Sequence, residues 1–411
     1  MEELLERFYR YVKMDTQSQE ECERVPSTAK QFSLAEQLLQ ELKDIGIKDA
    51  VLDKEHCYVY AHIPSNLGET EVPAIGFVSH MDTSPAVSGA DVKPRLVENY
   101  DGGDILLSEQ NGRVLSPDEY PLMKDLMGKS LIVTDGNTLL GADDKAGVAE
   151  IMTMASFFMN HPEIPHGKIC IGFTPDEEVG NGTAFFDLKT FEAQFAYTVD
   201  GGTLGEIEYE NFNAAAAKVE IVGKSIHPGD AKGKMVNAAL LAMEFNSLLP
   251  ADDVPEKTEG YEGFFYLESM EGHTEYSELS YIVRDHDREK FEGRKALLLS
   301  IQDKMNSKYG NGTVNVTLRD QYYNMKELIK PHMHLIDNAK KAFEKEGINP
   351  TVVAIRGGTD GATLSYKGLP CPNLSTGGAN FHGRYEYACY DHMKIMVQVL
   401  INIVKEYSQW K

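Results

Sequence analysis

The amino-acid sequence predicts an α/β domain interrupted by an inserted ferredoxin-like α+β domain. Three observations lead there. Up to Asn211, short β-rich apolar runs alternate with helix-like stretches, the mark of a sheet that is at least partly parallel. After Asn211 the order becomes β-α-β-β-α-β, the ferredoxin-like arrangement. From His332 the α/β style returns, so the middle part is an insertion. A chain of 411 residues is also too long for one ordinary core. The boundaries that follow are residues 1–211 and 325–411 for the outer domain and 212–324 for the insertion.

Each element has its own signal. Leu4, Leu5, Phe8 and Val12 recur at helical spacing, as do Leu34, Leu38, Leu39, Leu42 and Ile45 before Gly46. Cys57–Ile63, Ala74–Val78, Ile169–Phe173 and Phe195–Val199 are apolar without strict alternation, as expected for strands covered on both faces. A helix over Lys145–Met159 lies between two of them. In the insertion, Ala214–Val222, Gly263–Met270, Tyr276–Val283 and Thr313–Leu318 read as strands. Val236–Leu249 and Asp287–Tyr309 read as helices, and Glu256–Glu262 as an exposed loop. Helix His332–Lys345, strand Thr351–Ala354 and helix Met393–Glu406 complete the outer domain.

Composition narrows the function. The chain is 42% hydrophobic and 25% charged, the balance of a globular protein. No apolar run approaches the roughly 20 residues needed to span a bilayer. The formal net charge of −24 repels phosphate backbones and anionic lipid, which argues against nucleic-acid and membrane-surface roles. The start, Met1-Glu-Glu-Leu-Leu-Glu-Arg, is acidic and amphipathic and lacks the basic, then apolar, pattern of a secretion signal. The five scattered cysteines form no C-x-x-C pair, which indicates free thiols. The acidic, amphipathic start points to the cytoplasm.

Four motifs place metal-competent side chains where predicted strands end. Phe77-Val-Ser-His80-Met-Asp82 sets an imidazole directly after a strand, with a carboxylate two residues on to accept its other ring N–H. Leu140-Gly-Ala-Asp143-Asp144-Lys puts two acids at a loop-to-helix junction, where a carboxylate can bridge two cations. Asp176-Glu177-Glu178-Val-Gly180 follows a strand; adjacent carboxylates beside a metal divide the labour, one binding the cation and one taking a proton. Ser375-Thr-Gly-Gly-Ala-Asn380-Phe-His382 lies in a glycine-rich loop, with Glu386 four residues beyond His382 as a supporting partner. Tyr197-Thr-Val-Asp200-Gly-Gly adds another acid at a strand end.

Singly, each has a plain structural reading: a turn aspartate, a helix cap, a solvated charge run, a loop histidine. Together, His80, Asp143, Glu178, Asp200 and His382 would converge at the carboxyl edge of one sheet, where α/β ligand sites form. Two histidines and three carboxylates suit a pair of cations sharing one bridge. Arg356-Gly-Gly-Thr-Asp-Gly361 lacks the lysine and spacing of a phosphate loop and reads as a substrate-binding backbone loop. Asn380 is a further candidate substrate contact.

These motifs, in this order, resemble the di-zinc family of aminopeptidases, carboxypeptidases, dipeptidases and aminoacylases over the whole length. The finer likeness is to its tripeptide-cleaving aminopeptidases, through Ile75-Gly-Phe-Val-Ser-His80, Phe173-Thr-Pro-Asp-Glu-Glu-Val-Gly180, Tyr197-Thr-Val-Asp200-Gly-Gly and Arg356-Gly-Gly-Thr-Asp-Gly-Ala. The resemblance implies a di-zinc site in which His80 and Asp200 hold one ion, Glu178 and His382 the other, and Asp143 bridges them. It implies that Asp82 orients His80, that Glu177 is the general base, and that the Asp143–Asp144 peptide is cis. The inserted domain would be a lid that also forms a homodimer. His227, in Gly223-Lys-Ser-Ile-His227-Pro-Gly, would reach the substrate carbonyl, and Arg284 would pair with its carboxylate.

The reaction implied is removal of the amino-terminal residue from small peptides, with cobalt or manganese as other ions that suit the ligands. The ligand set is shared by dipeptidases and N-acyl amino-acid amidohydrolases of the family, which are the alternatives. A non-catalytic metal-binding scaffold is disfavoured because Glu177 stands intact beside Glu178.

Overall fold

The apolar runs that lack alternation become the centre of a sheet. In a computed structural model describing residues 2–110 and 112–410, Ile75–His80 (β3) and Ile169–Thr174 (β4) are buried at every position. Their sheet also contains Val51–Leu52 (β1), Val59–Ile63 (β2), Phe195–Gly201 (β5), Glu206–Asn211 (β6), Thr351–Ile355 (β7) and Asn373–Ser375 (β8). The spatial order is β1-β2-β4-β3-β5-β8-β6-β7. The inner strands β4, β3, β5 and β8 run parallel to one another, while β1 with β2, β2 with β4, and β6 with β8 are antiparallel. The carboxyl ends of the parallel strands therefore lie along one edge.

Helices cover this sheet: Glu2–Val12 (α1), Phe32–Asp44 (α2), Ala142–Asn160 (α3), His334–Lys345 (α4), Asp360–Tyr366 (α5) and Tyr390–Ser408 (α6). The α3 helix is buried almost throughout and packs on β3 and β5 between α1 and α6. It comes so close that a Cβ on Gly147 would lie 1.9 Å from the carbonyl oxygen of Val199, so only glycine fits there.

A second small sheet joins Arg95–Val97, Leu131–Val133, Gly378–Ala379 and Tyr387–Cys389. These strands have no more than three residues each, too few to show a period of two in the sequence.

The chain divides into two compact units. One comprises Met1–Tyr209, Leu328–Val353 and Thr359–Lys411, and the other Glu210–Glu327 with the short stretch Ala354–Gly358. The second unit carries a four-stranded antiparallel sheet in the order Phe264–Gly272, Tyr276–Asp285, Asn213–Val222, Val314–Tyr322. That is the ferredoxin-like strand order the sequence predicts. Ala238, Leu241, Ala242 and Phe245 of one helix join Phe291, Leu298, Ile301 and Met305 of the other in packing on Ala217, Val219, Leu279 and Val283. The helical spacing of these residues is what marks the elements in the sequence. Among the described residues, no helix is long and apolar enough to cross a membrane. All five cysteines are free, and all but Cys22 are buried.

Candidate metal centre and active site

The parallel core of the sheet aligns the strand-end residues. In β3 and β5 Val78 pairs with Thr198, so His80 and Asp200 come two residues further along neighbouring strands. His80 Nε2 lies 3.3 Å from Asp200 Oδ1 and 2.9 Å from Asp143 Oδ1. His382 Nε2 lies 3.1 Å from Asp143 Oδ2 and 2.9 Å from Glu178 Oε2. Asp143 thus offers one oxygen to a His80–Asp200 group and the other to a Glu178–His382 group. Within each group the nitrogen and oxygen atoms lie within 4.8 Å of one another.

The backbone that carries Asp143 is held from two sides. Asp143 and Asp144 have non-helical dihedrals at the entry to α3, so the helix proper begins at Lys145, and the peptide between them is cis. The buried Glu386 carboxylate accepts hydrogen bonds from the N–H groups of Leu140 at 2.7 Å, Gly141 at 2.8 Å and Asp143 at 3.1 Å. Glu386 therefore holds the loop that carries Asp143, whereas its spacing from His382 in the sequence suggests a partner of that histidine. Asp144 turns inward: its carboxylate accepts from the Ser79 hydroxyl and from the Gly147 and His80 N–H groups, each at 3.3 Å.

The three successive acids have three different environments. Asp176 is buried with φ +52° and accepts from Ser27 N at 2.6 Å, Ser27 Oγ at 2.5 Å and Gln31 Nε2 at 2.6 Å. It is a structural latch. Glu178 belongs to the second metal-competent group, and its Oε1 is buried with no hydrogen-bond partner among the protein groups. Glu177 belongs to neither group. Asp82 holds the N–H groups of both, accepting from Glu177 at 3.0 Å and Glu178 at 3.3 Å. The same residue meets His80 Nδ1, through its carbonyl at 3.1 Å and its carboxylate at 3.3 Å.

This arrangement fits cations. Three converging carboxylates face two imidazoles, and a buried carboxylate oxygen without a donor is costly unless a positive charge meets it. A mixed nitrogen and oxygen donor set suits zinc, cobalt or manganese.

Known proteins with this chain organisation settle the family. Peptidase T of Clostridium perfringens (strain 13 / Type A) is 56% identical over 409 residues, covering the whole of both chains. The chain belongs to the peptidase T family. Residues 209–313 match the family model described as a peptidase dimerisation domain. The fold agrees with that of the aminopeptidase PepT from Bacillus cereus, at a TM-score of 0.78 and 24% identity, with 99% of each chain covered. It also agrees with a tripeptidase from Staphylococcus aureus, at a TM-score of 0.79 and 21% identity, covering 99% of this chain and 98% of that one. As a peptidase T family member, this protein is a metallopeptidase with a mixed α/β fold and a dimerisation domain.

The electrostatics of the peptidase T site follow from crowding of buried acids. Burial pushes Glu178 and Asp200 up to about 7. Burial, with the Asp200 charge, raises Glu177 well above the usual carboxylate range. Hydrogen bonds donated to Asp143 and Glu178 push His382 up to about 11. Burial pulls His80 down, but the Asp200 charge and the carboxylate hydrogen bonds outweigh it and raise this imidazole. For Asp143 the two histidines outweigh burial and hold the carboxyl below its ordinary value.

The other candidate residues lie elsewhere. His227, Arg284 and Arg356 belong to the second unit and the metal-competent groups to the first. His227 is exposed, and its Nδ1 accepts from Gly229 N at 3.1 Å, which puts the proton of the neutral ring on Nε2. Arg284 Nη1 donates to the Arg356 carbonyl at 3.0 Å, while its Nε is buried without a partner.

Arg356, a candidate substrate-loop residue in the sequence, has a structural part in the second unit. Its guanidinium donates to Gly260 O at 2.7 Å, Glu262 O at 3.1 Å and Thr258 Oγ1 at 3.1 Å, and stacks near Phe212 and Phe264. It staples the 258–262 loop. The expected backbone loop over Arg356–Gly361 also ends early, because Asp360 begins α5. Asn380 has φ +57° and donates to Tyr385 O at 3.1 Å, which shapes the loop that carries His382.

Sequence reasoning missed Ser27, Gln31, Ser79 and Asn373. Asn373 accepts from Asp200 N at 3.1 Å and donates to half-buried Glu208 at 2.6 Å. No motif marks Ser27, Gln31 or Asn373, and Ser79 sits in the His80 motif without a signal of its own; each acts across a long gap in the chain.

Proposed function

We propose that this metallopeptidase is an exopeptidase that releases the amino-terminal residue of tripeptides, using two divalent cations. The observation that carries the reading is Asp143, whose two oxygens serve two separate donor groups. His80 and Asp200 would hold one cation, Glu178 and His382 the other, with Asp143 shared and zinc the first choice of ion. Bound there, the cations supply Lewis acidity, making water a stronger acid and polarising a carbonyl. The substrate class rests on the likeness to tripeptide-cleaving aminopeptidases and on the tripeptidase whose fold it shares.

The chain's own residues carry the rest. Glu177, free of both donor groups, takes the proton of the attacking water and delivers it to the leaving amine. Asp82 orients the His80 ring and the backbone of Glu177 and Glu178 together. His227, protonated on Nε2, donates to the developing oxyanion, and Arg284 pairs with the peptide carboxylate. The dimerisation domain supports a homodimer.

The test is hydrolysis of a matched set: di-, tri- and tetrapeptides, an N-acetylated tripeptide and an N-acyl amino acid. It is run before and after chelation, with add-back of zinc, cobalt or manganese. Tripeptides should be preferred, the N-acetylated form refused, and activity lost with the cations. Equal rates on dipeptides, or turnover of the N-acyl amino acid, would move the assignment to the dipeptidases or amidohydrolases.

A further inference from the structure

The segment from β4 to Ala184 carries Glu177 and Glu178, and one face of α5 grips it at both ends. Asp360, the first residue of α5, is 6% exposed. Its Oδ2 accepts from Thr174 Oγ1 at 2.8 Å, at the end of β4. Its carboxyl also abuts Gly182 so closely that a Cβ there would lie 2.2 Å from Oδ1 and 2.5 Å from Oδ2. Thr363 and Lys367 follow on the same helical face. Thr183 Oγ1 and Thr363 Oγ1 are 2.9 Å apart, and Lys367 Nζ donates to the carbonyls of Thr183 and, at 3.2 Å, Ala184.

Between these anchors the two glutamates sit on a single 3-10 turn, Glu177–Val179. The crowded acids around that turn repel one another, so the turn needs restraint from outside. Asp82 and the Ser27–Gln31 latch restrain it on one side. We propose that Asp360 is a positioning residue that, with Thr363 and Lys367, clamps the 174–184 segment from the other side and so fixes Glu177 and Glu178. The proposal rests on Glu177 being the base and Glu178 a ligand. A displacement of about 1 Å at such a group costs on the order of 10²-fold in rate.

The experiment compares Asp360→Ala, Asp360→Asn, Gly182→Ala and the double variant Gly182→Ala/Asp360→Ala. For each zinc-loaded enzyme, kcat and KM are measured on a tripeptide, along with hydrogen exchange of the 175–184 amides. Asp360→Ala should lower kcat at least about tenfold, hold KM within about threefold, and speed exchange across 175–184. Asp360→Asn should restore most of both, because the amide oxygen still accepts from Thr174 and the side chain keeps its size. Gly182→Ala should slow turnover in the wild-type background and cost less in the Asp360→Ala background, where the colliding carboxyl is gone.

Wild-type kcat and exchange in Asp360→Ala would overturn the clamp. So would an Asn variant as slow as the Ala variant, or strictly additive losses in the double variant. If Asp360→Ala fails to fold, the Asn and Gly182 variants decide. If the wild type cleaves no peptide, the functional reading falls, and the exchange data alone still judge the clamp.

Discussion

Replacing Glu386 by Gln tests how Asp143 is held between the two donor groups. Three N–H groups converge on this one carboxylate: those of Leu140 and Gly141 on Oε2 and that of Asp143 on Oε1. A glutamine keeps one acceptor oxygen. Its better orientation places that oxygen at the Oε2 position, retaining two bonds, and turns the NH₂ toward the Asp143 N–H, donor against donor. Leaving one buried N–H unsatisfied costs about 1–3 kcal/mol. That cost falls on the residue shared by both donor groups, so it should emerge as weaker cation binding. At about 1.4 kcal/mol per tenfold, it is a loss of roughly 5- to 150-fold in affinity, in line with the 10–100-fold typical of groups that support metal ligands. The assay is calorimetric titration of the chelated protein with zinc, alongside kcat at saturating zinc. Affinity should fall while kcat at saturation recovers substantially. Unchanged affinity would refute the supporting role of Glu386.

Other substitutions separate neighbouring groups. Glu177→Gln should lower kcat by about 10²–10⁴ or more with both cations bound, because the amide cannot take a proton; Glu178→Gln should instead lose cation, as elemental analysis would show, and regain some activity in excess zinc. A Glu177 variant that loses metal while the Glu178 variant keeps it would reverse the roles. His227→Ala should lower kcat and leave cation content unchanged, and an unaltered kcat would return His227 to a structural part. Glu150, buried in α3 with both carboxylate oxygens unpartnered by protein groups, is raised well above its ordinary 4.5 by burial. The folded chain keeps a proton that the unfolded chain releases above 4.5, so stability present below that pH falls as pH rises toward the folded value. Glu150→Gln should remove that fall and stabilise increasingly as pH rises above about 4.5, by up to about 1.4 kcal/mol per unit in urea unfolding; a variant that gains no stability relative to wild type as pH rises would refute this.

Much of the fold is legible in the sequence because its elements are long and strongly patterned. Ile75–His80 and Ile169–Thr174 announce buried parallel strands, and Phe291, Leu298 and Met305 announce one side of a long helix. The second sheet escapes because its strands are too short for any period to form. The α5 helix escapes because Gly-Gly-Thr-Asp-Gly looks like a turn until the Thr359 hydroxyl, accepting from Gly361 N at 3.3 Å, caps it as a helix. At the site, His80, Asp200 and Glu178 are legible because each ends or closely follows a strand whose direction fixes where its end points, while Asp143 and His382 stand out in the motifs of a helix entry and a glycine-rich loop. The residues that hold those donors are not. Glu386 reaches Asp143 across 243 positions and Ser27 reaches Asp176 across 149, and no local pattern encodes such a pairing.

The run Asp176-Glu177-Glu178 shows why adjacency in the chain is a poor guide to role. Left to itself, a row of acids spreads into water. Here the left-handed backbone at Asp176 turns its side chain back onto Ser27 and Gln31, where four hydrogen bonds link it to that segment. The turn that follows then presents Glu178 to His382 and Asp143. Glu177 is left between them, beside the Asp200 charge that raises its affinity for a proton but outside either donor group. These are three surroundings: hydrogen-bond donors around Asp176, a metal-competent group around Glu178, and neither around Glu177. The left-handed residue and the single tight turn supply all three from consecutive residues, so a Cβ-bearing residue at φ +52° is tolerated where glycine would be easier.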